Sequence, residues 1–392
     1  MKAYPRFAAA FCAFVPSLAL AVYAPIPEPE QGKALAFRVS GSVSYDSNIF
    51  GAPTNEIDSL VYSVRPSVSY NNSLSDQTFL SLGYELSLDH MPDRPAKQNL
   101  TSHNLSARLA YQFSEDSNLD LSDNYEIAKN PQSLLAGVPL NTDQSYERNE
   151  FNARFATSAG PKLGLTLKYR NADTAYDTAT LAAQLDRMEQ LFGLEGSFAY
   201  LPETKLIGEY RYQDIAYDTA GAFKDKRSHF FLGGVDYTAA KKLVLSARAG
   251  AEDRSRDGER DTTVPYAEIS ARYAYAEGSF LSGGYAYTLE EPSDVTRFTD
   301  TEVNRFFANV QHRLSALITA SGSLTYEPSV LQGRRGVSDV DESVVRLGLG
   351  VTWALRPNVS VSATYDVDEV YSDDANRDQS RQRVGVSARL VF

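Results

Sequence analysis

The stretch that decides the fold is Leu35-Ala36-Phe37-Arg38-Val39-Ser40-Gly41-Ser42-Val43-Ser44-Tyr45. Its odd positions are mostly apolar or aromatic, whereas serine and arginine fill most of the even positions. Successive side chains of a β-strand point to opposite faces, so this period of two predicts a strand with one apolar and one polar face. Such a strand is typical of an outer-membrane barrel, whose outer surface meets lipid and whose interior meets water.

The same alternation recurs along the rest of the chain. We predict strands at 34–45, 59–71, 77–88, 101–113, 118–128, 146–157, 162–173, 186–200, 204–215, 227–238, 242–253, 263–276, 279–290, 302–314, 317–328, 342–355, 359–371 and 380–392. No apolar run after Ile26 is long enough for a transmembrane helix. The pattern therefore predicts an all-β fold, a closed antiparallel up-and-down transmembrane β-barrel of about 18 strands (16 to 18) over residues 34–392.

The predicted connections alternate between short and long. Short polar links are predicted at 72–76, 114–117, 158–161, 201–203, 239–241, 277–278, 315–316 and 356–358, and longer links rich in Asp, Asn, Gly and Pro separate the other pairs. Tight periplasmic turns and longer outer loops give a barrel this asymmetry. Lipid cannot satisfy an open sheet edge, so the first strand must pair with the last.

The amino terminus predicts export from the cytoplasm. Lys2 and Arg6 precede an apolar stretch that ends in Ala19-Leu20-Ala21, which is the layout of a secretory signal peptide over residues 1–21. A second cleavage site at Val22-Tyr23-Ala24 and a retained membrane anchor are the alternatives. Residues 22–33 contain three prolines and are predicted to form a short periplasmic segment. The one cysteine, Cys12, lies in the predicted signal, so the mature chain would have none.

The charge argues against a nucleic-acid partner. The chain carries 38 basic and 50 acidic residues, a formal net charge of −12, and removal of Lys2 and Arg6 with the signal makes it −14. Nucleic-acid binding needs a concentrated basic face. The expected partners are outer-membrane lipid and lipopolysaccharide, which acidic outer loops would face.

No catalytic or metal-binding constellation is evident in the sequence. The four histidines are His90, His103, His229 and His312, and no two share an expected site with a serine and a carboxylate. Aspartates are common in the predicted outer loops, but their spacing matches no calcium-binding loop. We therefore predict no enzymatic activity, no metal site and no cofactor.

Basic residues recur on the predicted inner face of the barrel. The pore-lining candidates are Arg38, Arg65, Arg108, Arg154, Lys168, Arg170, Arg211, Arg248, Arg272, Arg305, Arg346 and Arg389. Acidic residues of the same parity are Glu85, Glu126, Glu195, Glu209, Asp236, Glu252, Glu268 and Glu327. The bases could form a wall that attracts anions. Alternatively, they could pair with the acids across neighbouring strands and stiffen the barrel.

The carboxy terminus matches a barrel assembly signal. Val384, Val386, Ala388, Leu390 and Phe392 alternate along the last predicted strand, which ends on phenylalanine. Outer-membrane barrels present such a segment to the machinery that inserts them. We therefore expect the barrel-assembly machinery to be a partner.

One motif resembles a known family. Tyr45-Asp46-Ser47-Asn48-Ile49-Phe50, followed by Leu60-Val61-Tyr62-Ser63-Val64-Arg65-Pro66, is similar to the opening of the "putative β-barrel porin type 2" family. The resemblance implies an outer-membrane role in moving or securing surface polysaccharide, because members of that family are often linked to exopolysaccharide export loci. The chain departs from larger polysaccharide-secretion porins, because only Val22–Lys33 is available for a periplasmic domain ahead of the first strand.

The expected function is therefore an outer-membrane pore or conduit that takes part in exopolysaccharide export, with polysaccharide as a partner. Two alternatives stay open. One is a general diffusion porin for small solutes, and the other is a structural barrel whose surface loops act as an adhesin.

Overall fold

The computed structural model describes residues 34–219, 224–239, 242–256 and 261–392. The predicted signal peptide and the proline-rich segment 22–33 lie outside the described residues.

Eighteen strands and one short helix make up the regular structure of the described residues. The strands are β1 Leu35–Asp46, β2 Ser59–Ser75, β3 Thr78–His90, β4 Asn99–Ser114, β5 Ser117–Ala128, β6 Tyr146–Ala159, β7 Leu163–Tyr176, β8 Arg187–Leu201, β9 Thr204–Tyr217, β10 Lys226–Ala239, β11 Leu243–Arg256, β12 Thr262–Ala276, β13 Ser279–Glu290, β14 Phe298–Arg313, β15 Ile318–Gly333, β16 Val340–Arg356, β17 Val359–Ser372 and β18 Gln379–Val391. The helix, α1, is Ala179–Leu185 and lies between β7 and β8. The predicted all-β class is confirmed.

The sheet closes on itself. Each strand pairs antiparallel with its neighbours in sequence, and β1 pairs with both β2 and β18. The closing seam runs from Arg38 opposite Val391 to Asp46 opposite Arg383. The prediction of a closed antiparallel barrel with 18 strands is confirmed, and closure leaves no strand edge for lipid to solvate.

The two ends of the barrel differ, as expected. At one end, here the turn end, two to four residues join the strands wherever the connection is described. Gly278 has a φ of 69° in the two-residue turn between β12 and β13, a left-handed conformation that glycine adopts without steric cost. At the other end, here the loop end, the connections are longer. By the usual asymmetry of such barrels, the turn end is periplasmic and the loop end is external.

The two faces of each strand also differ. On β18, Val384 and Val386 point outward with 52% and 57% of their surface exposed, while Gln379 and Arg381 point inward and are buried. Trp353 and Phe392 are likewise exposed on the outer surface near the turn end. An exposed apolar outer surface is stable only in contact with lipid, so the membrane lies around the middle of the strands.

Three strands extend four or five residues beyond their predicted ends. β2 continues from residue 71 to Ser75, and the added residues pair with β3 from Asn72 opposite Leu80 to Ser75 opposite Thr78. The loop ends of β14 and β15 reach Phe298 and Gly333, where 302 and 328 were predicted. There Phe298 is fully buried against Leu331 and Val340, which ties the three strands β14, β15 and β16 together above the predicted hairpin.

Helix α1 was not predicted. Its sequence, ATLAAQL, spaces Leu181 and Leu185 four residues apart, so both lie on one helix face, and both are buried. Good helix formers surround them, but a segment of seven residues is too short to reveal a period. Across the described ranges, no helix is long and apolar enough to span a membrane.

Candidate channel lumen

The inner wall carries many ion pairs between strands. Seven of the twelve predicted pore-lining bases have a carboxylate oxygen within 4 Å. They are Arg108 with Asp120, Lys168 with Glu195 and Glu209, Arg170 with Glu189, Arg211 with Glu209 and Glu268, Arg248 with Asp236, Arg305 with Glu290 and Glu327, and Arg346 with Glu327 and Asp368. Six of the seven pair with an acid on a neighbouring strand, as the alternative of cross-strand pairing expects, whereas Arg211 pairs with Glu209 of its own strand and with Glu268 of β12.

The pairs from β14 to β18 show how the wall is braced. Glu327 of β15 accepts hydrogen bonds from Arg305 of β14 at 2.8 Å and from Arg346 of β16 at 3.3 Å. Arg346 also lies 3.9 Å from Asp368 of β17, which Arg383 of β18 contacts at 2.8 Å. Each carboxylate therefore joins neighbouring strands. Removal of one partner would leave the other charge uncompensated, which is costly where the site is shielded from water.

The other five predicted bases are Arg38, Arg65, Arg154, Arg272 and Arg389, and two of them make a different kind of contact. Arg65 donates to Ser87 at 3.1 Å, and the Arg272 guanidinium lies 3.7 Å from the centre of the Phe280 ring. Arg154 and Arg389 have no carboxylate within 4 Å among the described residues. Arg38 faces the lumen near the turn end of β1.

Unpaired charges are distributed unevenly along the bore. Arg154, Arg272 and Arg389 lie within five residues of the turn ends of their strands. Inward carboxylates without an ion pair in the described structure lie at mid-height or toward the loop end, namely Glu85, Asp89, Glu126, Glu252 and Asp366. The turn end of the lumen is therefore the more positive end.

A buried charge cluster on the loop side was missed by the sequence interpretation. Glu291, in the connection after β13, contacts Lys226 at 2.9 Å and Arg256 at 3.0 Å. Asp300 of β14 pairs with Arg254 and with Arg256. The three bases have the inward parity, but their acidic partners come from a loop and from the unpredicted extension of β14. The cluster fixes the connection between β13 and β14 to the wall.

One loop crosses the loop end of the lumen. Residues 129–145, here the crossing loop, join β5 to β6. The connection between β13 and β14 lies eight strand positions away on the ring of eighteen, nearly opposite. Ser293 of that connection nevertheless donates a 2.8 Å hydrogen bond to the carbonyl of Ala136 in the crossing loop. A loop that touches both sides of the ring must span the opening.

Two arginines of β18 hold the crossing loop. Arg381 donates to the carbonyl of Gln132 at 3.0 Å, and Arg383 donates to the side-chain oxygen of Gln132 at 2.6 Å. Arg381 is 2% exposed and forms a forked pair with Asp46 of β1, with distances of 2.6 and 3.1 Å. Forked pairs fix the guanidinium plane, so its remaining N–H groups point at the loop carbonyls. The sequence interpretation missed both arginines, although they share the inward parity of Arg389.

Apolar and polar contacts hold the middle of the crossing loop. Leu135 and Val138 pack against Leu181 and Leu185 of α1, in a cluster that includes Tyr217 of β9. Gln144 donates to the carbonyl of Phe50 in the loop between β1 and β2 at 3.3 Å. Side chains therefore anchor the crossing loop on several sides of the ring.

Asp143 forms a further anchor near the end of the crossing loop. Arg94, in the connection between β3 and β4, lies 3.2 Å from Asp143 and is 7% exposed. Burial would raise the pKa of Asp143, but hydrogen bonds from Ser145 and the charge of Arg94 outweigh it and hold that pKa below its usual value. Asp143 is therefore charged at neutral pH, as the ion pair requires.

The predicted carboxy-terminal signal lies on the lipid-facing side of β18. Val384, Val386 and Ala388 face outward and are exposed, and the Phe392 amide donates to the carbonyl of Phe37 at 2.9 Å. Leu390 has the same parity. Recognition of this strand by the assembly machinery stays a prediction.

The histidines do not form a shared site. His103, His229 and His312 each bond a tyrosine hydroxyl on the outer surface, at 2.8 or 2.9 Å, and His90 bonds Asn99 at 2.8 Å. Among the residues that the structure describes, no three side chains of histidine, aspartate or glutamate are placed to hold a metal ion.

Two solved structures are similar to this chain. The outer membrane protein opdK from Pseudomonas aeruginosa matches over 91% of this chain and 99% of its own, with 13% identity and a TM-score of 0.50. A BenF-like porin from Pseudomonas fluorescens Pf-5 matches over 92% of this chain and 99% of its own, with 9% identity and a TM-score of 0.49. At 13% identity, the likeness to opdK shows the fold alone.

The family resemblance seen in the sequence is confirmed. No curated protein matches the chain. The family model described as "Putative beta-barrel porin 2" matches residues 35–392, which include every strand of the barrel. The chain belongs to this family and is a porin-like β-barrel of the outer membrane.

Proposed function

We propose that the barrel is a non-enzymatic conduit that carries an exopolysaccharide across the outer membrane. The observation that carries the proposal is a polar bore through an 18-stranded barrel, crossed at the loop end by a loop that only non-covalent contacts hold. A barrel of this size leaves an aqueous channel unless loops fill it. The family's link to exopolysaccharide export supports the choice of solute.

A structural barrel is the second candidate, and two observations favour it. The crossing loop reaches both sides of the opening, and seven of the predicted pore bases are engaged in ion pairs. A barrel that never opens would have both features. A general diffusion porin is the third outcome and would conduct small solutes without affecting export.

Deletion of the gene in its native host distinguishes these candidates. We expect extracellular polysaccharide to fall and polymer to accumulate in the periplasm, with both restored by the wild-type gene on a plasmid. Normal extracellular polymer in the deletion strain would overturn the export proposal. A simultaneous loss of small-solute uptake would identify a diffusion porin instead.

The charge distribution predicts a modest anion preference. The unpaired bases at the turn end meet an entering solute in a narrow lumen, where salt screens less than it does at the acidic outer loops. Planar-bilayer reversal potentials under a salt gradient should have the sign of anion selectivity. A clear cation preference would mean that the acidic loops, or the inward carboxylates nearer the loop end, control selectivity.

A further inference from the structure

One part of the inner wall differs from the rest. The inward positions of β15, β16, β17, β18, β1 and β2 through the middle and turn half of the barrel are mainly serine, threonine or glycine. They are Thr319, Ser321, Ser323, Thr325, Gly348, Gly350, Thr352, Ser360, Ser362, Thr364, Gly385, Ser387, Ser40, Ser42, Ser44, Ser63, Ser67 and Ser69, here the hydroxyl wall. On the far side of the ring, the inward residues include many long, paired charges, such as Lys168, Glu195, Glu209, Arg211 and Arg248.

Strand register makes the hydroxyl wall continuous. Ser362 lies opposite Ser387, which lies opposite Ser42, which in turn lies opposite Ser63. A second row runs through Gly350, Thr364 and Gly385. Glycine weakens a strand and often marks a place where a ligand comes close to the backbone. Short side chains also leave this side of the lumen the wider one.

Hydroxyl groups of this wall are available for binding. The hydroxyls of Ser40, Ser42, Ser44, Ser360 and Ser387 make no hydrogen bond within the described part of the chain, and these side chains are only partly buried. Each hydroxyl is one donor and two acceptors. On the opposite side of the lumen, the charged side chains largely have partners already. A polar ligand therefore gains more new hydrogen bonds on the hydroxyl wall.

Two bases of this wall are free of carboxylates. Arg65 of β2 and Arg389 of β18 lie on either side of Ser40, each directly opposite it in register. Two strand spacings separate their backbones, roughly 10 Å. Among the described residues neither arginine has a carboxylate within 4 Å, although Glu85 lies on the neighbouring strand β3. A pair of such bases in a hydroxyl surface suits anionic groups spaced along a polymer.

We propose that the hydroxyl wall is the path of the polymer through the lumen, and that Arg65 and Arg389 bind its acidic groups, so that the substrate is an acidic glycan. The proposal rests on the proposed export function and adds the charge class of the substrate and the side of the bore that it follows. Sugar hydroxyls exchange hydrogen bonds with the serines, while carboxylates of the glycan engage the two guanidinium groups. No covalent step is involved.

The first experiment obstructs one side of the lumen. Ser387→Trp fills the hydroxyl wall, and Ser122→Trp places the same side chain on the inward face of β5, in the charged half. Both proteins are reconstituted in planar bilayers, in the wild-type background and in one with residues 131–142 shortened. Oligogalacturonate is added at the turn end and its block of the ion current is recorded. We expect Ser387→Trp to abolish the block and Ser122→Trp to retain most of it.

The second experiment tests the two arginines. Arg65→Gln with Arg389→Gln should lower the affinity for oligogalacturonate at least tenfold, while block by a neutral malto-oligosaccharide changes little. Arg154→Gln with Arg272→Gln removes two other bases without carboxylate partners and serves as the matched control. A heat-dependent shift on gels shows that each variant is a folded barrel.

The possible outcomes test the path of the polymer through the lumen separately from the proposed export function. Equal effects of the two tryptophans, or no block of the wild-type and loop-shortened proteins by oligogalacturonate, would overturn the path. Equal loss of affinity in both arginine pairs, or an equal loss for the neutral sugar, would overturn the acidic site. If the block follows the hydroxyl wall while gene deletion leaves extracellular polymer normal, the inferred path holds and the export function fails.

Discussion

Replacement of residues 131–142 of the crossing loop by a short Gly-Ser linker is expected to raise single-channel conductance several-fold. The crossing loop contacts β18, the connection between β13 and β14, and the cluster around α1, so its removal clears the opening. The remaining barrel has 18 strands, enough to enclose an aqueous channel. Planar-bilayer recordings of purified protein measure the change.

A matched control uses an exposed loop segment that does not cross the opening. Thr54, Asn55 and Glu56 are exposed in the loop between β1 and β2. Their replacement by Gly and Ser should leave conductance at the wild-type level. If the shortened crossing loop conducts no better than wild type while the barrel still shows its heat-dependent shift, another part of the chain fills the bore.

Leu349→Arg is expected to lower the free energy of unfolding by about 2–4 kcal/mol, because it places a charge in the lipid at mid-height of the barrel. Leu349 is near the middle of β16, points outward and is 48% exposed. Denaturant unfolding of the protein in lipid vesicles measures the change.

Thr352→Arg introduces the same side chain on the same strand but on the inner face. Thr352 bonds the Ser362 hydroxyl at 2.9 Å and borders the lumen. An arginine there can reach water, so we expect a much smaller loss of stability. Similar losses for both variants would show that the assignment of inner and outer faces is wrong.

The strands could be predicted because the residues of each one alternate between those that suit lipid and those that suit the lumen. The alternation that begins at Leu35 places apolar residues against lipid and small or polar residues toward the lumen, and it located all eighteen strands. The inward parity of the twelve pore-lining bases follows from the same rule. Which carboxylate each base contacts depends on register and rotamer, so the sequence left ion pairing and an anion wall as alternatives.

The closure of the loop end could not be predicted. Arg381 contacts Pro131 and Gln132, which lie 250 and 249 positions away in the chain. The local residue pattern of a polar loop does not indicate so distant a partner. Helix α1 is two turns long and forms where it can bury Leu181 and Leu185 against the crossing loop. These features depend on tertiary contacts, which a local pattern does not contain.

The central claim, that the crossing loop closes a continuous bore, is tested most directly by locking and releasing this loop. Gln132→Cys and Arg383→Cys are introduced together with Cys12→Ser, so that the two new thiols are the only ones. They are joined by a short reducible bis-methanethiosulfonate crosslinker, and conductance is recorded before and after addition of reductant to the same bilayer. We predict a low conductance while the crosslink is intact and a rise on reduction, with no change in either single-cysteine variant. The same conductance before and after reduction would contradict the claim.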